Sequence, residues 1–181
     1  IADMFVKKEA ETIAFPPAGG GDNATIGYAC EVIKRFKPTL TVVYLSSVDT
    51  CHSNFSSYLR NIHASDHGTA HLWDFIQTQV PEMAGNTTMI IMPEHGRNAE
   101  ANGIIDQNAF WAYDHSDANS RRIFGMMVGP NIDANLSVGS ESNQIGDIVN
   151  VAPTIAEILG FKNDMLGSGL TASSQSLFDL I

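Results

Sequence analysis

The chain has 181 residues, of which 44% are hydrophobic and 17% are charged. This composition is typical of one globular domain with a buried core, and it excludes an intrinsically disordered chain. Acidic residues outnumber basic ones by 20 to 10, for a formal net charge of -10. Because such a surface repels phosphate backbones, we expect no nucleic-acid partner. No apolar run approaches the roughly 18 residues that cross a bilayer, so we also expect no membrane span.

Helices and strands alternate along the first half of the chain. After an irregular leading segment over residues 1–21, apolar residues at helical spacing predict a helix from near Asp22 to Pro38. Residues 39–46 are β-branched and continuously apolar, which predicts a strand buried on both faces. Apolar residues at helical spacing then predict a long helix over residues 54–80.

The second half continues the same alternation. Residues 87–92 predict a second buried strand, and residues 122–128 predict a third. Between them, residues 94–120 are polar and lack periodicity, which favours a long functional loop. A final helix is predicted over residues 148–159. Helices that alternate with buried strands are typical of an α/β fold, so we expect a mainly parallel sheet flanked by helices.

Metal-binding residue types follow directly after two of the predicted strands. Asp49 and His52 come after the first, and Glu94 and His95 come after the second. In open α/β sheets, ligands bind beyond the carboxyl ends of the strands, so both pairs lie where a site is expected. His115 lies in the polar loop. Carboxylate oxygen and imidazole nitrogen together favour zinc, with manganese or iron as alternatives.

The order of these motifs resembles the C-terminal half of the alkaline phosphatase superfamily, which includes sulfatases, nucleotide pyrophosphatases and cofactor-independent phosphoglycerate mutases. The resemblance covers about residues 38–176. The matching motifs are Asp49 with His52, Glu94-His95-Gly96 (usually Asp-His-Gly in the family), His115, residues 146–160 and residues 175–177.

This resemblance implies an alkaline-phosphatase-like fold with two divalent metal ions, zinc first and manganese second. By carry-over, Asp49, His52 and His115 hold one metal. Glu94 and His95 hold the other. The implied function is metal-dependent hydrolysis of a small-molecule phosphate or sulfate ester by the full-length protein. Two metals about 3.5–4 Å apart suit this chemistry, because they clamp the attacking and leaving oxygens of an in-line displacement.

The family's nucleophile has no match in this chain, so no catalytic residue is assigned. The chain begins at Ile1, and we interpret residues 1–181 as the C-terminal part of one larger hydrolase domain. On this interpretation the missing N-terminal half of the same protein supplies the nucleophile and one further metal-binding Asp. The resemblance also favours a periplasmic or secreted location.

Two other functions stay open. A mutase or phosphotransferase on the same metal scaffold would transfer the group to an acceptor other than water. A non-catalytic metal-binding or ligand-binding domain would keep the site without the reaction. The Glu at position 94, and the two residues between Asp49 and His52 where the family usually has three, favour this last alternative.

Further charged and polar side chains carry weaker signals. Arg97 follows the Glu94-His95-Gly96 motif, and its guanidinium is a candidate for binding a phosphate or sulfate oxygen, with a surface salt bridge as the alternative. His63, His67 and His71 recur every four residues on the long helix. We interpret them as a polar helix face, with a zinc site as the alternative.

Overall fold

The structure is a computed structural model that describes residues 21–101, 111–169, 173 and 175–181. The predicted leading segment therefore lies outside the described residues, except for Gly21. These residues form four α-helices and two β-strands, which are, in chain order, α1 (Asp22–Phe36), α2 (Phe55–Gln79), β1 (Met89–Ile91), β2 (Met126–Val128), α3 (Val151–Ile158) and α4 (Lys162–Gly167). Short 3-10 turns lie at Asn119–Arg121, Ile148–Asn150 and Leu177–Asp179.

The predicted α/β fold with a mainly parallel sheet is wrong for the described residues. Their regular structure is mostly helical, and their sheet has two strands, β1 and β2, which pair antiparallel with Met89 opposite Val128. Both strands lie inside predicted strand segments. A continuous apolar run indicates a buried strand but carries no information on the direction of its partner, so this pattern could not establish a parallel sheet.

Residues 39–46, the first predicted strand, form no strand. Val43 and Leu45 pack against the helical core, but Val42 and Tyr44 are 83% and 61% exposed. Only one face of the segment is therefore covered by described residues, and the prediction of burial on both faces is wrong.

The hydrophobic core lies between α1 and α2. Ile26 and Ile33 of α1 pack with Leu72 and Ile76 of α2, and all four are almost completely buried. Gly68 lets the helices approach closely, because a Cβ at this position would lie 3.2 Å from Cγ1 of Ile26. The two predicted helices are confirmed, and each buried aliphatic side chain contributes about 1.5–3 kcal/mol to folding.

The described helices differ from helices that cross a bilayer. None of them combines the length and the hydropathy that a membrane crossing needs. This agrees with the absence of a membrane span expected from the sequence.

Polar contacts organise the C-terminal region. The predicted helix over residues 148–159 is present as a 3-10 turn followed by α3, and Asp147 caps it by accepting the N–H of Ile148 at 2.6 Å. Thr154 is fully buried, donates to the carbonyl of Asn150 at 2.7 Å and accepts the N–H of Leu177 at 2.8 Å. These bonds attach the end of the chain to α3.

An ion-pair network, which we call the Lys162 network, joins Glu157, Lys162, Ser176 and Asp179. The Lys162 ammonium donates to Glu157 Oε2 at 2.8 Å and to Asp179 Oδ2 at 2.5 Å. The Ser176 hydroxyl also donates to Glu157. Bonding to Lys162, and then to Ser176, lowers the pKa of Glu157 and of Asp179, whereas bonding to Asp179 and Glu157 raises the pKa of Lys162.

Candidate metal centre

The five predicted metal ligands converge at one place. Nε2 of His95 lies 3.3 Å from Glu94 Oε1 and 3.6 Å from Asp49 Oδ1. Nε2 of His52 lies 3.5 Å from the same Asp49 oxygen. The ring of His115 lies 4.3 Å from that of His95 and 5.7 Å from that of His52, between ring centroids. Residues that are far apart in the chain therefore surround a common centre.

Asp114 is a sixth member that the sequence did not single out. Its Oδ1 lies 3.3 Å from Nδ1 of His52 and 3.1 Å from Nε2 of His115. We call the six side chains the histidine–carboxylate cluster. The only local signal for Asp114 was its place directly before His115, and isolated acidic residues in polar loops are too common for that to be selective.

Two sets of three side chains place all their ligand atoms within 4.8 Å of one another. One set is Asp49, His95 and His115, and the other is His52, Asp114 and His115. His115 belongs to both. The division implied by the family, in which His115 joins Asp49 and His52, stays a prediction.

The loop that carries Asp49 is anchored to both core helices. At the start of α1, the buried carboxylate of Asp22 accepts the backbone N–H groups of Ser46 and Ser47 at 3.1 and 3.3 Å. On α2, the side-chain amide of Asn61 donates to the carbonyl of Ser47 at 2.5 Å. These bonds explain how a short loop after an unpaired segment holds its ligand in place.

Arg97 joins the loop that carries Glu94 and His95 to the loop that carries Asp49 and His52. Its guanidinium donates to the carbonyls of Cys51 and His52, at 2.9 and 2.5 Å. Its Cζ lies 4.6 Å from the ring centroid of Tyr58 and 5.5 Å from that of Tyr113, so aromatic rings also hold the cation. Two of its five N–H donors are engaged in this way. A contact between the others and a substrate oxygen stays a prediction.

The buried side chain of Asn98 places the segment that carries Asp114 and His115. Its backbone N–H donates to the carbonyl of Asp114 at 2.8 Å. Its side-chain oxygen accepts the backbone N–H groups of Ser116 and Asp117, at 2.8 and 2.9 Å. Asn98 therefore holds the backbone at Asp114 and directly after His115.

Gly96 is required by close packing. Its N–H donates to the carbonyl of Ser120 at 2.6 Å. A Cβ at position 96 would lie only 2.6 Å from the carbonyl oxygen of Arg122, closer than such atoms approach in proteins. The glycine after His95 thus lets the ligand loop lie against the backbone that leads into β2.

The cysteines are not part of either ligand set. Both are free and buried. Burial raises the pKa of the Cys30 thiol to about 11, which keeps it protonated in the helical core. Cys51 lies beside the cluster, where its sulfur accepts from the side-chain amide of Asn61 at 3.2 Å. We interpret both as packing residues.

The spacing within the cluster fits a metal better than hydrogen bonds. The imidazole–carboxylate separations run from 3.1 to 3.6 Å, whereas N–H···O bonds centre on about 2.9–3.0 Å. Ligand atoms about 2.0–2.1 Å from a tetrahedral zinc lie roughly 3.3–3.4 Å from one another. Side-chain exposure in the cluster ranges from 31% to 56%, which leaves room for water or substrate.

Among the described residues, no lysine or arginine compensates the charge of the cluster. Asp49, Glu94 and Asp114 have imidazoles as their ion-pair neighbours. Across residues 21–101, 111–169, 173 and 175–181, no Lys or Arg nitrogen lies within ion-pair distance of these three carboxylates. A site rich in carboxylate and imidazole, without a basic partner, is suited to an external cation.

Comparison with known proteins adds no family assignment. A scan against protein-family models, a search of curated proteins and a search of solved structures each found no match for the chain. The resemblance to the alkaline phosphatase superfamily therefore rests on the residues and their order.

Proposed function

We propose that the histidine–carboxylate cluster binds divalent metal, with zinc preferred and manganese as the alternative, and serves the hydrolysis of a phosphate or sulfate ester. The observation that carries the proposal is the convergence of two carboxylates, Asp49 and Asp114, with three imidazoles at metal-ligand spacing, without a Lys or Arg partner among the described residues. Glu94 lies beside His95 but belongs to neither set of three.

The charge of the chain supports an anionic substrate only if metal is bound. With a formal net charge of -10 and three carboxylates in the site, the chain repels a phosphate or sulfate group. When bound, zinc supplies Lewis acidity at an ester oxygen and lowers the pKa of a coordinated water or alcohol. The acidic charge of the chain is therefore consistent with hydrolysis of an anionic ester only when a metal ion is bound.

The residues of the chain hold and orient the site. Asp49, His95 and His115 form one ligand set, and the Glu94 carboxylate lies at its edge, 3.3 Å from Nε2 of His95. Arg97 fixes the backbone of the first ligand loop. No described residue is assigned as the nucleophile. In keeping with the resemblance, we propose that the complete protein supplies it from outside this chain.

The first test removes one carboxylate or one imidazole from the complete protein. We expect Asp49→Asn and His95→Ala to lose zinc-dependent hydrolysis of p-nitrophenyl phosphate or p-nitrophenyl sulfate. The loss should exceed the 10–100-fold that accompanies removal of an outer partner of a ligand. The control variants are Asp133→Asn and His63→Ala, which change exposed side chains outside both ligand sets.

Each outcome of this test bears on the proposal. Undiminished turnover in both ligand variants, measured with defined zinc, would contradict it. Zinc binding without turnover of either ester in the unmodified protein would favour the non-catalytic metal-binding domain, which Glu94 and the short Asp49–His52 spacing support. Transfer of the group to an alcohol in preference to water would favour a phosphotransferase or mutase.

A further inference from the structure

We propose that Asp114 is itself a metal ligand, and that Asp114, His52 and His115 form a cation position that shares His115 with the set of Asp49, His95 and His115. This inference rests on the proposed metal centre, but it adds a ligand that the family resemblance does not supply. The position would bind a divalent transition-metal ion through two imidazoles and one carboxylate.

The first support is the spacing of the three ligand atoms. Oδ1 of Asp114 lies 3.3 Å from Nδ1 of His52 and 3.1 Å from Nε2 of His115. Both distances are close to the roughly 3.3–3.4 Å edge of a zinc tetrahedron. The rings of His52 and His115 are inclined by 64°, with centroids 5.7 Å apart, so they meet at an angle and do not stack.

The second support is that backbone hydrogen bonds position all three residues. The N–H of Tyr113 donates to the carbonyl of His52 at 2.9 Å, and the N–H of Asn98 donates to that of Asp114 at 2.8 Å. The N–H of His115 donates to Oδ1 of Asp114 at 3.0 Å. Ligands that such hydrogen bonds position lose less conformational freedom when they bind an ion.

The third support is the number of ligands. Catalytic zinc sites commonly have three protein ligands and an open position for water or substrate. His52, Asp114 and His115 make up such a set, and their side chains are 34%, 34% and 44% exposed. A water or an ester oxygen therefore has access to a fourth position.

The test measures zinc affinity by calorimetry in the complete protein. Asp114→Asn keeps the size of the side chain and an oxygen that can accept the N–H of His115, but removes the ligand charge. We expect at least a tenfold loss of zinc affinity at one site. Asp133→Asn is the matched control, since it neutralises an exposed carboxylate outside the ligand sets, and we expect it to bind zinc like the unmodified protein.

A second variant gives a new spectroscopic signal when residue 114 binds metal, and a misfolded protein would not produce that signal. We expect Asp114→Cys loaded with Co²⁺ to show a thiolate-to-cobalt charge-transfer band that Co²⁺-loaded unmodified protein lacks. Such a band requires a direct bond between the side chain at position 114 and the metal. A folded Asp114→Cys protein that binds Co²⁺ without the band would overturn the inference.

The two proposals fail in different ways. If Asp49→Asn weakens zinc binding but Asp114→Asn does not, the metal centre stands and Asp114 is excluded as a ligand. If neither substitution changes zinc affinity, both the metal centre and the role of Asp114 are wrong.

Discussion

Two regions of this molecule gather carboxylates around one point, and they neutralise them differently. In the Lys162 network, Glu157 and Asp179 both accept from the Lys162 ammonium, and the pKa of each carboxyl falls below its ordinary value. In the histidine–carboxylate cluster, Asp49, Glu94 and Asp114 face imidazoles, and no lysine or arginine of the described residues pairs with them.

The difference separates a structural site from a candidate binding site. The Lys162 network contains its own counter-charge, so its geometry is complete without a ligand. The cluster contains lone pairs and negative charge without a Lys or Arg partner among the described residues. Four of its five imidazole–carboxylate separations, from 3.3 to 3.6 Å, are longer than the roughly 2.9–3.0 Å on which N–H···O bonds centre. We infer that the cluster requires an external cation, and the three predictions that follow test this contrast.

The largest effect is expected from Gly96→Ala, which disturbs the cluster and leaves the Lys162 network intact. The new Cβ would meet the carbonyl oxygen of Arg122 at 2.6 Å, and relief of such overlap costs about 1–3 kcal/mol. Urea denaturation should show this loss, and zinc affinity should fall because His95 is displaced. Gly125→Ala is the control, since nothing lies within 4 Å of its Cβ position. Equal stability of the two variants would refute the proposed role of Gly96.

An intermediate effect is expected from Arg97→Lys, which keeps the charge but loses the planar fork that bonds Cys51 and His52. Zinc affinity should fall about tenfold, or about 1.4 kcal/mol, because the ligand loop loses its anchor. Arg60→Lys is the control, since Arg60 donates to the nearby Ser57 hydroxyl on α2 and is bonded to no ligand loop among the described residues. Unchanged affinity in Arg97→Lys would mean that the loop does not depend on this clamp.

The smallest effect is expected from Lys162→Met. Because the pKa values of Glu157 and Asp179 lie below their ordinary 4.5 and 3.8, their contribution to stability is present above those values and is lost as pH falls through the lowered pKa values. The pKa of Lys162 lies above its ordinary 10.5, so its contribution is present below pH 10.5 and is lost as pH rises through the raised pKa.

Thermal midpoints measured between pH 2 and 8 would check this prediction. We expect the unmodified protein to lose more stability toward acid than Lys162→Met does, and both to bind zinc alike near neutral pH. Lys34→Met, which removes another lysine charge from α1, is the control. Identical acid profiles in Lys162→Met and the unmodified protein would show that the network contributes nothing measurable.

Residues close together in the chain predicted their local structure well. The helices over α1 and α2 follow from apolar spacing, and residues 39–46, 87–92 and 122–128 were all predicted as strands from one apolar pattern. Only the last two contain strands, and these pair antiparallel. The pattern reports a tendency to be buried, and the choice of strand partner depends on contacts far along the chain.

The candidate site was likewise predictable only in part. Asp49, His52, Glu94 and His95 were found because two carboxylate–histidine pairs follow predicted strands, and His115 was found as a further histidine in the polar loop. The structure places all five close together. Asp114 was missed because its distances to His52 and His115 arise from the folded loop. The bonds from Arg97 to a loop 45 residues away were equally invisible in the sequence.

The sequence by itself determined the acidic charge, the two core helices and the residue types of the candidate metal centre, because composition and short-range spacing can be read directly from the chain. Only the tertiary structure decided the antiparallel pairing, the place of Asp114 and the use of Arg97 as a clamp. These depend on distances between residues far apart in the chain, and such distances are set when the helices and loops pack together.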